Sequence, residues 1–467
     1  MDVVRVPDHI LPGLAQRALP PPIPLRSMLG PGIILAGLSI GSGEFVLWPR
    51  LIAQWGFVVF WAAWIGVTIQ FFLNMEIERY TLATGESAVV GFLRLSRILG
   101  PVFLACAVLP WIWPGWATGA GTILAWEIGG APVLYAILGL VLCGLLLSLG
   151  PVVYRTVELV MFVLVTAIFV MLIYVAVLVV RPDAVMEMFR GAARIGSIPD
   201  GIELPLLLGA LAFAGAGGTL NLAQSNYIRD KGYGMGHWVG RITSPLTGRG
   251  EAASDVGFTF EGDEQNLARW RVWWRRANLE HGLTFFLLCL VSISLLALIA
   301  YSLLEPGAPV GAGFGFIMDQ ASALEERFGG TARHLFLWAG MAVLFSTELA
   351  LLDAVTRVVA DILHSLFLRD RPGWSLSRLY FVILWTFIAL GVLVLALGLD
   401  QPLTLLVISA ALNAVVMCLY SGLLLWLNLT TFHGALRPSP VRIGALLISL
   451  TFFGYFSFLT LKDQLGL

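Results

Sequence analysis

The sequence predicts an all-α polytopic membrane protein of about eleven spans, built as a five-plus-five inverted repeat with broken first and sixth helices. Three observations carry this prediction. Of 467 residues, 58% are hydrophobic and only 12% charged, a balance that no soluble fold of this length shows. About eleven apolar stretches of membrane-spanning length follow one another along the chain. The first and sixth are interrupted at mid-depth by glycine runs, Gly41-Ser42-Gly43-Glu44 and Ala214-Gly215-Ala216-Gly217-Gly218.

Residues 1–28 read as a cytoplasmic segment. Asp2, Arg5, Asp8 and the run Pro20-Pro21-Pro22-Ile23-Pro24 make it a soluble lead-in rather than a cleavable signal, so the first span is retained. The first repeat, 29–180, holds spans near 30–55, 57–80, 100–128, 131–150 and 153–180. An external connector, 181–204, leads to the second repeat, 205–430, with spans near 205–228, 277–303, 332–365, 377–398 and 402–430. Residues 431–467 carry the eleventh span, 441–463. Lys and Arg favour one set of connecting segments by about three to one. That bias puts the N-terminus in the cytoplasm and the C-terminus outside, with a bacterial plasma membrane as the expected location.

The longest cytoplasmic loop, 229–276, mixes Arg229, Lys231, Arg241 and Arg249 with Glu251, Asp255, Glu261, Asp263 and Glu264. It ends in Arg269-Trp270-Arg271-Val272-Trp273-Trp274-Arg275-Arg276, which reads as an interfacial tryptophan belt with positive anchors; a lipid-sensing element is the alternative. The external loop 304–331, rich in Gly and Pro, reads as a plain connector. Cys106, Cys143, Cys289 and Cys418 each lie in an apolar stretch and read as small core residues.

Five spans per half is an odd number, so the halves insert with opposite orientation, as in LeuT-like transporters. Breaking a helix at mid-depth frees backbone groups that lipid cannot satisfy. The half-helix before such a break presents carbonyls and suits a cation, whereas the one after it presents N–H groups and suits an anion. Glu44 stands at this point, where an ionisable group is expensive and generally functional. Its bland alternative is a cap on the second half-helix.

The spacing around the first break carries a resemblance. Gly30-Pro31-Gly32 is followed by eight residues, then Gly41-Ser42-Gly43-Glu44, then Gln54-Trp55-Gly56. With Ala83-Thr84-Gly85, Arg155 with Glu158, Asn221-Leu222 and Glu280, this layout resembles the NRAMP metal-ion transporters over roughly 29–430. The resemblance implies a LeuT-like fold and a substrate site at Gly41, Ser42, Glu44, Gly215, Gly217, Gly218 and Asn221. The family's metal-binding Asp falls at Gly41, its Asn at Glu44 and its Met at about Gly218. Losing the thioether argues against transition-metal selectivity. Glu44 is left as the metal ligand, and a single carboxylate suits a hydrated Mg²⁺. The same glycines would equally suit a bulkier organic solute.

The family's third-span acidic pair corresponds to Pro114 and Ala117, and the sixth span has no His, so its proton coupling is not expected. LeuT-like carriers that use Na⁺ set span-8 hydroxyls beside span-1 carbonyls, which makes Ser346 and Thr347, with Glu348 or Asp353, the candidate ion-coupling set; hydroxyls that merely pack the helix are the alternative. Asp353 and Arg357, four apart, predict a gate or structural ion pair, and Glu76 and Glu78 beside Arg79 predict an internal one. Glu127 is expected to reach water. Ser409, Asn413 and Tyr420 of span 10 are candidates to line a pathway, although one small polar residue per turn is common in packed spans.

The expectation is an alternating-access secondary transporter for a hard divalent cation, Mg²⁺ or Mn²⁺, without the family's proton coupling. The alternatives are a related carrier of a non-metal solute and a non-transporting receptor on the same scaffold. No catalytic constellation stands at membrane depth, so an enzyme is not expected. No cofactor and no nucleic-acid partner is expected either. The partners are the bilayer and a small ion or solute; the oligomeric state is left open, and a monomer is compatible with the sequence.

Overall fold

The computed structural model describes residues 3–244, 253–307 and 309–465. Arg249 and Glu251 of the long loop lie outside the described residues. Seven helices are long and apolar enough to cross a membrane, or eight if a pair bent by 102° counts as one span. The protein is an integral membrane protein, but length and composition alone do not reach eleven. The shortfall lies in the interrupted first, third and sixth spans and in the polar second-span helix, which passes only as part of the bent pair.

A short helix α1 (Leu25–Met28) precedes the first of these, α2 (Pro31–Ser39) and α3 (Leu47–Trp55). Its interruption is milder than the glycines predict. Residues 40–44 form a π-helical turn closed by Phe45 N–H donating to the Ile40 carbonyl at 2.9 Å. Widening the helix this way re-aims side chains without exposing the whole backbone. After α4 (Trp61–Thr84), stopped by Gly85 in the left-handed region at φ 72°, comes the short α5 (Ala88–Leu95).

The third span departs from expectation. Instead of one helix over 100–128 it is α6 (Leu99–Val108) and α7 (Gly115–Ile128), separated at 109–114. Pro110 and Pro114 flank that gap and cannot donate to a helix ladder. The helices α8 (Pro132–Leu149) and α9 (Val153–Val179) complete the first half.

The connector 181–204 is not plain; it contains α10 (Pro182–Ala193). The sixth span, α11 (Leu204–Ala212) and α12 (Gly218–Lys231), is fully interrupted at 213–217. Gly217 and Gly218 take φ 75° and 53°, where a side chain would be strained. The seventh span reaches far beyond 277–303. Helix α13 (Glu264–His281), a π turn at 282–287 and α14 (Leu288–Leu303) form one 40-residue rod, Glu264–Leu303. Its charged first half hid it from a hydropathy reading. The loop 304–331 likewise holds a helix, α15 (Gly315–Phe328). Then come α16 (Gly330–Leu363), α17 (Leu376–Ala396), α18 (Pro402–Thr431) and α19 (Pro440–Gln464).

Helix α16 is buried along most of its length and packs against α2, α7, α9 and α12. At one end of the bundle it carries Asp353, Arg357 and Asp361, which pair as the four-residue spacing predicts and reach further. Arg357 Nε lies 2.9 Å from Asp353 and its Nη1 2.5 Å from Asp230, while Arg229 reaches Asp361 at 3.1 Å. The Tyr380 hydroxyl donates to Asp353 at 2.6 Å, bringing in α17. Replacing Arg357 with Ala leaves buried Asp353 without a cation and Asp230 with only the longer Arg229 contact at 3.5 Å, so stability is expected to fall by about 3–5 kcal/mol. Chemical unfolding of the detergent-solubilised variant checks this.

The N-terminal segment is docked rather than a free lead-in. Strand β1 (Ala15–Gln16) pairs in parallel with β2 (Phe258–Thr259). Arg269 Nη1 donates to the Leu19 carbonyl at 2.6 Å and Trp273 Nε1 to that of Pro20 at 2.9 Å, with Arg276 on Pro22 and Ile23. A proline run keeps its carbonyls while losing N–H groups, and the Arg and Trp side chains of α13 supply the missing donors. The tryptophan-rich run thus holds this segment, with Trp270 and Trp273 buried inside the protein rather than laid out as a surface belt.

Asp255 pins the long loop to the end of α16, with the Ser365 hydroxyl at 2.8 Å, Arg369 at 2.6 Å and His364 at 3.2 Å. Burial pushes its carboxyl up, but His364 and Arg369 outweigh that and hold it well below the usual carboxylate range. A depressed folded-state value means the stabilisation is complete above the unfolded value, near 4, and is lost as pH falls below it. Hydrogen exchange across 253–262 is expected to rise as pH drops from about 5 towards 2, after correction for intrinsic rates. Unchanged protection would contradict the ion-pair account.

Glu76 pairs with Arg79 at 2.8 Å and with Arg442 at 3.2 Å, as an internal pair was expected to; Glu78 does not join it. Glu127 barely reaches water, its side chain 4% exposed. It is buried against Arg333 at 3.2 Å and His334 at 2.6 Å.

Candidate functional site

The interrupted spans meet directly. A Cβ on Gly43 would lie 2.6 Å from the Phe213 carbonyl carbon and 2.7 Å from its Cβ, so the two backbones touch. Gly41 faces α16, where an added Cβ would lie 2.7 Å from the Val343 carbonyl oxygen. Gly218 lies against Asn413 of α18, and Gly215 against the Gln70 amide of α4. These glycines are therefore places of close approach as well as points of freedom.

Gln70 is what holds the sixth-span break open. Its Nε2 donates to the Ala212 carbonyl at 2.9 Å, and its Oε1 accepts from Gly217 N–H at 3.1 Å and Asn221 Nδ2 at 3.2 Å. One amide thus satisfies a freed carbonyl and a freed N–H, which lipid cannot do. Asn221 also donates to the Tyr420 hydroxyl at 3.0 Å, tying α12 to α18.

The third-span break supplies an aromatic wall. Trp116 Nε1 donates to the Gly41 carbonyl at 3.1 Å, and Trp111 Nε1 to the Thr219 hydroxyl at 2.5 Å. The Trp111 and Trp116 rings stack 5.7 Å apart, and Trp111 stacks on Phe213 at 6.0 Å. Each indole therefore bonds one interrupted span through its tip while its ring packs against the other aromatics at the junction.

Glu44 is turned elsewhere. It is wholly buried; Ser39 Oγ donates to its Oε1 at 2.5 Å and Ser292 Oγ of α14 to its Oε2, with the Cys289 thiol beside it. Glu44, Ser39 and Ser292 form a set of four hard oxygen donors on the side of the π turn facing α14. Ser42 lies between, and its side chain is outside the described residues. Of the span-8 set, Thr347 Oγ1 donates to the Gly37 carbonyl of α2 at 3.1 Å, as expected of a residue beside span 1. Ser346 bonds instead to Val343 of its own helix. Glu348 faces away into a cavity of about 360 Å³ between α7, α8 and α16, and its Oε2 bonds to no protein atom. Among the described residues, no three His, Cys, Asp or Glu side chains gather to hold a metal ion.

The sequence reading did not find Gln70, Trp111 or Trp116 as site residues. A signal for Gln70 existed in the spacing Gln70, Asn74, Glu78, three polar residues four apart in an apolar span. Trp111 lies between Pro110 and Pro114 and Trp116 two residues after them, in a stretch whose hydropathy shows no break.

No family model matches the chain, and no curated protein matches it. Solved structures do. A manganese transporter from Eremococcus coleocola, crystallised as a mutant, superposes with TM-score 0.70 at 15% identity over 98% of this chain and 91% of that one. The same transporter in complex with an aromatic bis-isothiourea substituted compound gives 0.69 at 16% identity, over 98% and 91%. Mhp1, a nucleobase-cation-symport-1 family transporter closed around bromovinylhydantoin, gives 0.52 at 12% identity, over 96% and 95%. Identities this low establish the fold, which is the LeuT-like fold that the NRAMP resemblance implies.

Proposed function

We propose that the protein is a secondary transporter working by alternating access, with a small organic solute as its cargo at the junction of the interrupted spans. The observation that carries this reading is the lining of the junction. Trp111, Trp116 and Phe213 offer ring faces, and Gln70, Asn221, Asn413 and Tyr420 offer neutral polar groups. Aromatic faces with a few placed amides and hydroxyls favour a solute with a flat or partly apolar body. A divalent cation asks for carboxylates, and none of these residues has one. The two touching backbones, with ion pairs joining α12 to α16 at one end, are the parts that would separate and re-form as access alternates.

A second reading keeps the divalent cation. Glu44, Ser39 and Ser292 bring four hard oxygens together beside the π turn, a set that suits Mg²⁺ or Mn²⁺ carrying much of its water. Uptake into proteoliposomes holding a metal indicator separates the two. With Mg²⁺, Mn²⁺ and Ca²⁺ outside, with or without a pH or Na⁺ gradient, entry no faster than into protein-free vesicles supports the organic cargo. Metal entry abolished by Glu44→Gln overturns it in favour of the second reading.

A further inference from the structure

One face of α4 carries Gln70, Asn74 and Glu78, each four residues from the next and so aligned along the helix. Opposite stand Asn221 and Gln224 of α12, with His281 at the end of α13. All six are essentially inaccessible, none more than 1% exposed. They form two bonded groups with Asn74 between them on α4: Asn221 donates to Gln70 at 3.2 Å, and Gln224 Nε2 reaches Glu78 Oε2 at 3.3 Å and His281 Nδ1 at 3.4 Å. An amide N–H only donates, so Nδ1 accepts and the imidazole hydrogen sits on Nε2.

This buried row is far from satisfied within the protein. Both polar atoms of Asn74, and Glu78 Oε1, Gln224 Oε1, Asn221 Oδ1 and His281 Nε2, bond to no other protein atom. Buried groups of this kind in native proteins are met by ordered water. The row also lacks the fixed counter-charge that would make Glu78 a structural ion. Arg442 of α19 is near Glu78 but is committed to Glu76. Glu280 of α13 also faces Glu78 and takes a 2.9 Å hydrogen bond from Thr284, while the Tyr233 hydroxyl after α12 is bonded to the Met28 carbonyl. His281 is stacked on Phe71 and Phe285 and faces no carboxylate directly. An intramembrane carboxyl beside a second carboxyl and a neutral imidazole is a place where a proton moves rather than a place where charge is locked.

We infer that Gln70, Asn74, Glu78, Asn221, Gln224 and His281 form a hydrated proton path joining the sixth-span break to the end of the bundle where α13 holds the N-terminal segment. Glu78 and His281 are its proton carriers; His281 relays when the Gln224 N–H leaves Nδ1, which then takes a proton as Nε2 gives one up. The free Glu78 Oε1 takes a proton from water and returns it to water on the next step. Only O–H and N–H bonds are exchanged, and no other reactant is needed. The inference rests on the transporter reading and adds a coupling ion to it, by a route that uses neither a third-span acidic pair nor a sixth-span histidine.

The test is proton flux into proteoliposomes that trap a pH indicator, driven by a potassium potential with valinomycin and with no cargo present. Wild-type protein is expected to acidify the lumen several-fold faster than protein-free vesicles. Glu78→Gln should fall back to the vesicle rate, and Glu78→Asp should keep part of the flux. His281→Phe preserves the ring stack and tests the second carrier if Glu78→Gln does not fold; it too should lose the flux. A wild-type rate equal to that of empty vesicles, or undiminished flux in the folded variants, overturns the proposal. If the proton flux fails while solute binding at the tryptophan pair persists, only the path is lost. If both fail, the transporter reading falls with it.

Discussion

Replacing Gly43 with valine is expected to abolish function and to lower stability by about 3 kcal/mol, towards the upper end of what overpacking costs. The reason is what the new Cβ meets. At 2.6 Å and 2.7 Å from the Phe213 backbone carbon and Cβ, it faces main chain that no rotamer change can move aside. The first and sixth spans must part at the point where each is already interrupted. A control exists in Gly139 of α8, where an added Cβ has nothing within 4 Å. Gly139→Ala should change stability by less than about 0.5 kcal/mol. Denaturation of both variants in the same detergent checks the pair, and equal effects would sink the close-contact account.

The second large effect belongs to Trp116. Truncation to alanine removes a buried ring stacked on Trp111 and the bond to the Gly41 carbonyl. A stability loss of about 3–5 kcal/mol is expected for a buried aromatic, together with loss of solute binding. Trp116→Phe is the informative companion. It keeps a ring face and deletes the donor, which should cost about 1 kcal/mol. Binding should survive it, weakened roughly tenfold or less. Calorimetric titration with a solute found to stabilise the wild type separates ring from donor.

Some of this was legible in the residues. Glycine runs at mid-depth marked both interrupted spans, because only a chain without Cβ atoms can bring two backbones this close. The Asp353–Arg357 pair followed from helical spacing, and Thr347 reaches the span-1 carbonyl that the layout assigned to span 8. The direction of Glu44 was not legible. A π turn rotates the downstream residues relative to their positions on an α-helix. The placement of Glu44 opposite Ser292 therefore depended on a backbone detail that Gly41 and Gly43 permit but do not dictate.

Other features were present in the sequence but hidden by the property being read. Hydropathy sees Trp111-Ile112-Trp113 as apolar and passes over the two prolines beside it, so the third span looked whole. The same criterion stopped the seventh span at its charged half, although Asp263 caps α13 at Asn266 N–H, 2.8 Å away. Gln70 bonds to residues about 150 positions away, Gly217 and Asn221. No local pattern names such a partner. What the sequence did show was an unusual amide at membrane depth, waiting for backbone to satisfy.

The central claim is that cargo is recognised by the aromatic junction and not by the Glu44 carboxylate. A thermal-shift screen of the purified protein in detergent tests it most directly, with Mg²⁺ and Mn²⁺ set beside neutral, cationic and anionic small organic solutes. The account predicts that an organic solute raises the melting temperature of the wild type and of Glu44→Gln but not of Trp116→Ala. Stabilisation by a divalent metal that disappears in Glu44→Gln and persists in Trp116→Phe would contradict it.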